Sequence, residues 1–183
     1  DFIVASAHKF HGPKGVGFAY FKKGTGILPM FHGGDQERGA RSSTENVHAI
    51  IGMDKALENA YTNLSLNKIH IENIKKYFIR GLLKINSAIA FNGDSNILEN
   101  TSYTILNVRF PIQNDLLLFT LDMAGIAVSG GSACQSGGSV GSHVLIALMP
   151  EEQTRTTSVR FSFSKFTTLQ EIDYTLEKLK ELL

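Results

Sequence analysis

The sequence predicts an α/β chain: a strand-rich N-terminal stretch, then a small α+β layer in which helices cover a sheet. Three observations predict it. Short apolar runs bounded by polar, glycine-rich segments fill the N-terminal part. Apolar residues recurring at a spacing near 3.6 mark helices at about 45–60, 66–85 and the C-terminus. Between the later helices, residues 103–110 and 159–163 read as strands. There is no internal repeat and no long low-complexity linker.

Residues 2–5, Phe-Ile-Val-Ala, read as a short buried strand, and residues 16–21, Val-Gly-Phe-Ala-Tyr-Phe, as the next. A polar, glycine-rich loop from Ser6 to Gly15 joins them. Lys22 to Gly26 has the composition of a hairpin turn, so residues 27–31 are expected to pair back as a further strand. A second polar segment, residues 32–44, leads to Thr44, the expected N-cap of a helix from about Glu45 to Ala60. Its apolar positions are Val47, Ile50, Ile51, Met53 and Leu57. The next helix, about Leu66 to Ile85, directs Ile69, Ile71, Ile74, Phe78, Leu82 and Leu83 inward. Gly81 weakens it slightly, and Lys75-Lys76 reads as a solvated face.

In the strand at 103–110, Tyr103, Ile105, Val108 and Phe110 are the apolar members. Residues 114–124 read as a helix leading to Gly125, and Ile126–Ser129 as a short strand. Gly130 to Ser142, rich in glycine and serine, reads as a flexible tract. A short helix at 143–149 and a strand at Val159–Phe163 follow. Thr168 caps a final helix with Ile172, Leu176, Leu179 and Leu183 on one face.

Bulk composition narrows the function classes. Apolar residues make up 43% and charged residues 19%, a globular balance that argues against disorder. A net charge of +1 provides no broad basic field, so neither nucleic acid nor an anionic membrane is an expected partner. No apolar run is long enough to cross a bilayer and no signal peptide is evident, which predicts an intracellular, cytoplasmic protein. A single cysteine excludes an internal disulfide framework and a multi-cysteine metal site. The six histidines show no metal-ligand spacing; His48 and His70 fall on helices, as structural or exposed side chains. The chain starts at Asp1, without methionine, and runs straight into an apolar strand; sequence upstream of Asp1 is therefore expected.

Four places concentrate chemistry. Lys9 follows a strand and sits in a loop beside Ser6 and His8, with Gly12, Pro13 and Gly15 after it. Strand ends are where α/β sheets place ligands, and a lysine amine kept partly neutral is a covalent catalyst; a lone lysine in a turn is more often simply solvated. Cys134 lies in Gly-Gly-Ser-Ala-Cys-Gln-Ser-Gly-Gly rather than in an apolar run, a setting that suits an exposed, reactive thiolate as well as a structural thiol. Arg160 projects from the strand face opposite Val159, Phe161 and Phe163, where it is either a surface charge or a clamp for a carboxylate. The segment Gly34 to Thr44 combines Arg38, Arg41, hydroxyl groups and a helix start, a reasonable anion site or an ordinary solvated loop.

Together these strings resemble the NifS/IscS-like cysteine desulfurases, class V members of the fold-type I pyridoxal-phosphate enzymes. Ser-Ala-His-Lys-x-x-Gly-Pro-Lys-Gly (6–15), Gly-Gly-x-Gln-Glu-Arg-Gly-x-Arg-Ser-x-Thr-Glu-Asn (33–46), Gly-Ser-Ala-Cys (131–134) and Val-Arg-Phe-Ser (159–162) occur in the family's order along essentially the whole chain. The resemblance implies that residues 1–62 form the end of the large cofactor-binding domain. It implies that residues 63–183 form the small C-terminal domain, an antiparallel sheet covered by helices, which carries the cysteine loop. Lys9 then matches the lysine that joins pyridoxal 5'-phosphate covalently, and Ser6 and His8 resemble the pair that hold its phosphate. Thr44 matches a threonine that reaches the phosphate of the other subunit, which implies a homodimer. Arg160 matches the arginine that pairs with the carboxylate of L-cysteine, and Cys134 the residue that takes up sulfur as a persulfide. The long loop around Cys134 is similar to the subgroup with a mobile cysteine loop, which would hand sulfur to an acceptor protein such as an iron–sulfur scaffold.

The family's upstream cofactor ligands cannot lie in this chain, since Lys9 is nine residues from its start; these residues alone are therefore expected to be inactive. The family usually carries Ser-Gly-Thr where this chain has Ser42-Ser43-Thr44, which puts the local turn in question. The alternatives are a selenocysteine lyase, another class V enzyme, or a non-catalytic scaffold derived from the fold. The presence of both Lys9 and Cys134 speaks against the last.

Overall fold

The computed structural model describes residues 1–130 and 142–183, which divide into two compact units, Asp1–Leu64 and Ser65–Leu183.

In the first unit, β1 (Phe2–Ser6) and β2 (Gly17–Phe21) pair antiparallel, with Phe2 opposite Phe21 and Ser6 opposite Gly17. The strands form where β-branched and aromatic residues cluster. They are not buried, contrary to the expectation for residues 2–5: Phe2 is 65% and Val4 68% exposed. The ribbon has only two strands, so nothing within the unit covers its apolar faces. Residues 27–31 form no strand; Thr25 N–H instead closes a turn on Lys22 O at 3.0 Å. Helix α1 (Val47–Thr62) starts later than the sequence suggests, because Asn46 rather than Thr44 caps it: Asn46 Oδ1 accepts from Ala49 N–H at 3.3 Å.

In the second unit, α2 (Leu64–Ile85) buries Ile71, Ile74, Phe78 and Leu82, whereas Ile69 and Leu83, expected inside, are exposed. The sheet consists of β3 (Ala90–Phe91), β4 (Ile105–Arg109) and β5 (Ser158–Ser162), in that order and antiparallel throughout. Leu106, Val108, Val159 and Phe161 face the core. Ile105, assigned to the apolar set from the sequence, lies on the opposite, exposed face, since strand side chains alternate strictly. Phe78 of α2 meets Phe161 and Phe163 edge-on at 4.8 and 5.9 Å between ring centres, which locks the helix onto the sheet.

Helix α3 (Leu117–Met123) buries Leu117 and Leu121 and ends at Gly125, which adopts φ +77°. Among the described residues, 126–129 form no strand, and Ser129 makes a bridge with Arg160. Two short helices, α4 (His143–Leu148) and α5 (Glu151–Thr154), precede β5. The last helix, α6 (Leu169–Leu182), opens on a reciprocal capping box between Thr168 and Glu171 and buries Ile172 and Leu179. Tyr77 Oη donates to Asp173 Oδ1 at 2.6 Å and the His70 ring to Thr167 O at 2.9 Å, two ties between α2 and the α6 region.

Lys75 departs most from expectation. It is fully buried rather than solvated. Its ammonium donates to Ser102 O at 3.0 Å and Thr101 Oγ1 at 3.5 Å, the acceptors that make a buried charge tolerable. Desolvation lowers its pKa from the ordinary 10.5, and the Glu72 carboxylate partly opposes that shift.

Candidate active site

The first cluster sits where β1 ends. The chain leaves Ser6 in an extended conformation, turns through a 3-10 segment at Ala7–Phe10, and reverses at His11 with φ 70°. Ala7 is the pivot. It is fully buried, its N–H donates to Val16 O at 3.0 Å, and its carbonyl accepts from Gly12 N–H at 2.8 Å. Glycine is required at 12, because an added Cβ would lie 2.9 Å from Ala7 Cβ and 3.3 Å from Ala56 Cβ of α1. Pro13 presses on the same helix, leaving 2.7 Å for any side chain at Gly52. The turn is thus pinned from beneath by small residues, while Ser6, His8 and Lys9 point outward and are exposed.

The Ser6 hydroxyl makes no capping bond, and the Lys9 amine has no hydrogen bond or ion pair among the described residues. One amine, one hydroxyl and one imidazole therefore stand within four consecutive residues, uncommitted to the fold. That donor set fits an aldehyde-bearing phosphate ester: the amine can condense with the aldehyde, and the other two can bond phosphate oxygens.

Thr44 lies in the segment leading to α1 and is exposed. That segment is held by its own contacts. Arg41 donates to Ser42 O at 2.7 Å and stacks on Phe31 at 5.3 Å, and Ser43 N–H donates to Gln36 Oε1 at 3.2 Å. Three non-glycine residues adopt positive φ here, Glu37 at 47°, Arg38 at 57° and Ser43 at 105°. Such concentrated backbone strain persists only where surroundings enforce it, and it gathers at functional segments.

Arg160 belongs to the second unit. It lies on β5 opposite Asn107 of β4, on the face away from the core. Its backbone pairs with Ser129, N–H to Ser129 O at 2.7 Å and O from Ser129 N–H at 3.2 Å. Its Nε is buried and has no hydrogen-bond partner among the described residues. A guanidinium held in a sheet with an unpaired buried donor suits an incoming carboxylate. Cys134 lies outside the described residues. The structure therefore brings Ser6, His8 and Lys9 together on one turn and puts Thr44 in the same unit; Arg160 belongs to the other.

Residues that the motif strings passed over surround Arg160. Asn92, just after β3, is buried and donates through Nδ2 to Asn107 Oδ1 at 2.9 Å and Ser158 Oγ at 3.0 Å. Strict alternation along 103–110 places Asn107 on the face opposite Leu106 and Val108, and that was the available signal. Among the described residues there is no cluster of three metal-ligating side chains, and no helix long and apolar enough to cross a membrane.

The aminotransferase class-V family model matches residues 1–175. Over its whole length the chain is 40% identical to a protein named cysteine desulfurase IscS from Dictyoglomus turgidum, and over 94% of its length 41% identical to a cysteine desulfurase of Bradyrhizobium diazoefficiens. Two solved structures superpose over the whole chain: a NifS-like protein with a TM-score of 0.84 at 37% identity, and a NifS-like protein from Rickettsia africae with a TM-score of 0.83 at 29% identity. The chain spans about half the length of the curated relatives it matches, 46% and 43% for the two named, and 46% and 47% of the two structures.

Proposed function

The chain belongs to the aminotransferase class-V family of pyridoxal-phosphate enzymes, and on that premise we propose that the protein is a cysteine desulfurase. The observation that supports this most directly is the pinned turn at Ser6–Lys9, in a chain about 40% identical along its length to proteins named cysteine desulfurase. Residues 1–62 are read as the end of the cofactor-binding domain and residues 63–183 as the small domain that carries Cys134.

Pyridoxal phosphate, when bound, draws electrons from the alpha carbon of the substrate. Lys9 would join its aldehyde and Ser6 and His8 would hold its phosphate, with Thr44 serving the phosphate of a second copy in a homodimer. The Lys9 amine would move a proton at the alpha carbon, as a base and then as an acid. Arg160 pairs with the substrate carboxylate through charge-assisted hydrogen bonds. The Cys134 thiolate attacks the substrate sulfur: a sulfur–sulfur bond forms and the carbon–sulfur bond breaks. The electron pair passes to the substrate carbons, which leave as alanine after protonation. Cys134 keeps the sulfur as a persulfide and passes it to an acceptor protein. The destination we favour is iron–sulfur cluster or thio-cofactor and tRNA synthesis, in the cytoplasm.

The test is turnover by the full-length protein with L-cysteine and a dithiol reductant, which reduces the persulfide to free sulfide and is itself oxidised to a disulfide, measuring alanine and sulfide together in equal amounts. Cys134→Ala should abolish sulfide release while leaving the visible absorption of the bound cofactor unchanged. Retention of more than a few per cent of the activity in that variant would remove Cys134 from the reaction.

A further inference from the structure

Helix α2 has a second face, turned away from the core. Lys76, Arg80 and Lys84 stand four residues apart on it and are all exposed, so their charges line up at about 6 Å per step. Like charges at this spacing weaken a helix. The helix C-terminus accounts for Lys84, which lies in the last turn, but its field does not extend to Lys76 and Arg80. Elsewhere, exposed helix cations meet a carboxylate three or four positions away, as Lys55 meets Glu58 and Lys178 meets Glu181. Glu72, the one carboxylate so placed for Lys76, lies 3.7 Å from Lys68 instead. Lys76 and Arg80 form no ion pair and no hydrogen bond among the described residues.

Beside this row lies a groove of about 390 Å³. Lys76, Ile79 and Arg80 form one wall, and Ile97, Leu98 and Glu99 belong to the other. Glu99 forms no ion pair with either cation, so the groove does not neutralise its own charge. The second wall is tied down at both ends. Ser95 Oγ accepts from Asn107 N–H and donates to Asn107 O, both at 3.1 Å. Buried Lys75 donates to Ser102 O at 3.0 Å, and Thr101 Oγ1 donates to Ile97 O at 2.9 Å. The groove is therefore formed before anything enters it, which lowers the cost of binding. Ile79, Ile97 and Leu98 line it with apolar surface, and two unneutralised cations stand at its rim.

We propose that this groove receives an acidic amphipathic helix of a partner protein. Its apolar side chains lie on Ile79, Ile97 and Leu98, and its carboxylates, one turn apart, meet Lys76 and Arg80, whose spacing is that of the partner's own turn. Those carboxylates also relieve the repulsion within the row, so the charge pattern that costs α2 stability alone favours the complex. A nucleic acid or an anionic bilayer needs a wider basic field than a chain of net charge +1 offers. The inference goes beyond the desulfurase reading and does not rest on it.

The experiment uses the full-length protein and a fluorescein-labelled peptide of about 16 residues, long enough to hold a helix in water. The peptide has glutamate at every fourth position, leucine three positions after each glutamate and alanine elsewhere. A shuffled peptide of the same composition, with its glutamates spread round the helix, is the control. Fluorescence anisotropy should show saturable binding of the first peptide and binding of the control weaker by about tenfold or more. Lys76→Glu combined with Arg80→Glu should weaken binding by about tenfold or more, since each reversal turns an attraction into a repulsion. Helical circular dichroism and alanine formation from L-cysteine should stay unchanged in that variant. Lys76→Arg, which keeps the charge, should bind as the wild type does. Raising salt from about 0.05 to about 0.5 M should also weaken binding. No binding of the first peptide, equal binding of the shuffled one, or undiminished binding by the double variant overturns the proposal. Stronger binding at this row of a single-stranded oligonucleotide, or of vesicles of anionic phospholipid, overturns it as well.

Discussion

Ser43 shows how a single departure from a family pattern is felt. The resemblance puts glycine at this place, and the backbone indeed turns to φ 105°, a region L-residues avoid. Strain of this kind costs about 1–3 kcal/mol, whereas glycine gives up only about 0.5–1 kcal/mol through its extra freedom when unfolded. Ser43→Gly should therefore stabilise the chain by about 1 kcal/mol, read as a higher midpoint in urea denaturation. Single residues were also where sequence reading reached least far. The family is legible in the strings around Lys9 and Arg160 because they are long and ordered. Lys75 was not: a lysine on a helix normally faces water, and only the Ser102 carbonyl, 27 positions away, makes its burial tolerable. Asn46 outcompeted Thr44 as cap because both are good capping residues two positions apart.

Among the elements, α2 and α6 were legible, since several turns of repeated apolar spacing average out local noise. In the capping box at Thr168 the hydroxyl is legible from its place before an apolar run, whereas the reciprocal bond from Glu171 is visible only in the structure. Short pieces were missed: β3 has two residues and α5 four, too few to carry a period. Residues 27–31 have the apolar content of a strand but no partner to pair with. Gly81 reads as a weak point in α2, and the packing gives its reason. A Cβ there would come within 2.3 Å of Leu176 Cδ1 and 3.1 Å of its Cγ, so the glycine lets α6 approach. Gly81→Val should cost about 2 kcal/mol by overpacking, despite glycine's low helix propensity, and a lower thermal midpoint is the check.

At the scale of the molecule, unit Ser65–Leu183 has a core of its own, with Phe78, Leu82, Leu106 and Val159 all fully buried. Unit Asp1–Leu64 buries a single apolar side chain, Ala7, and exposes Phe2, Ile3, Val4 and Tyr20 along its ribbon. The relatives that this chain resembles are about twice as long. A polypeptide of residues 1–183 alone should therefore release no sulfide from L-cysteine, and should bind a hydrophobic dye more strongly than the full-length protein. Turnover at full-length strength would contradict this. The sheet of the second unit is protected in another way. Its β3 flank stops after two residues, and Ser95 then occupies the main-chain groups of Asn107 that a stranger's strand would need. That blunted rim deprives a misfolded neighbour of a template for zipping on, so fibril growth from this edge is discouraged by one serine hydroxyl.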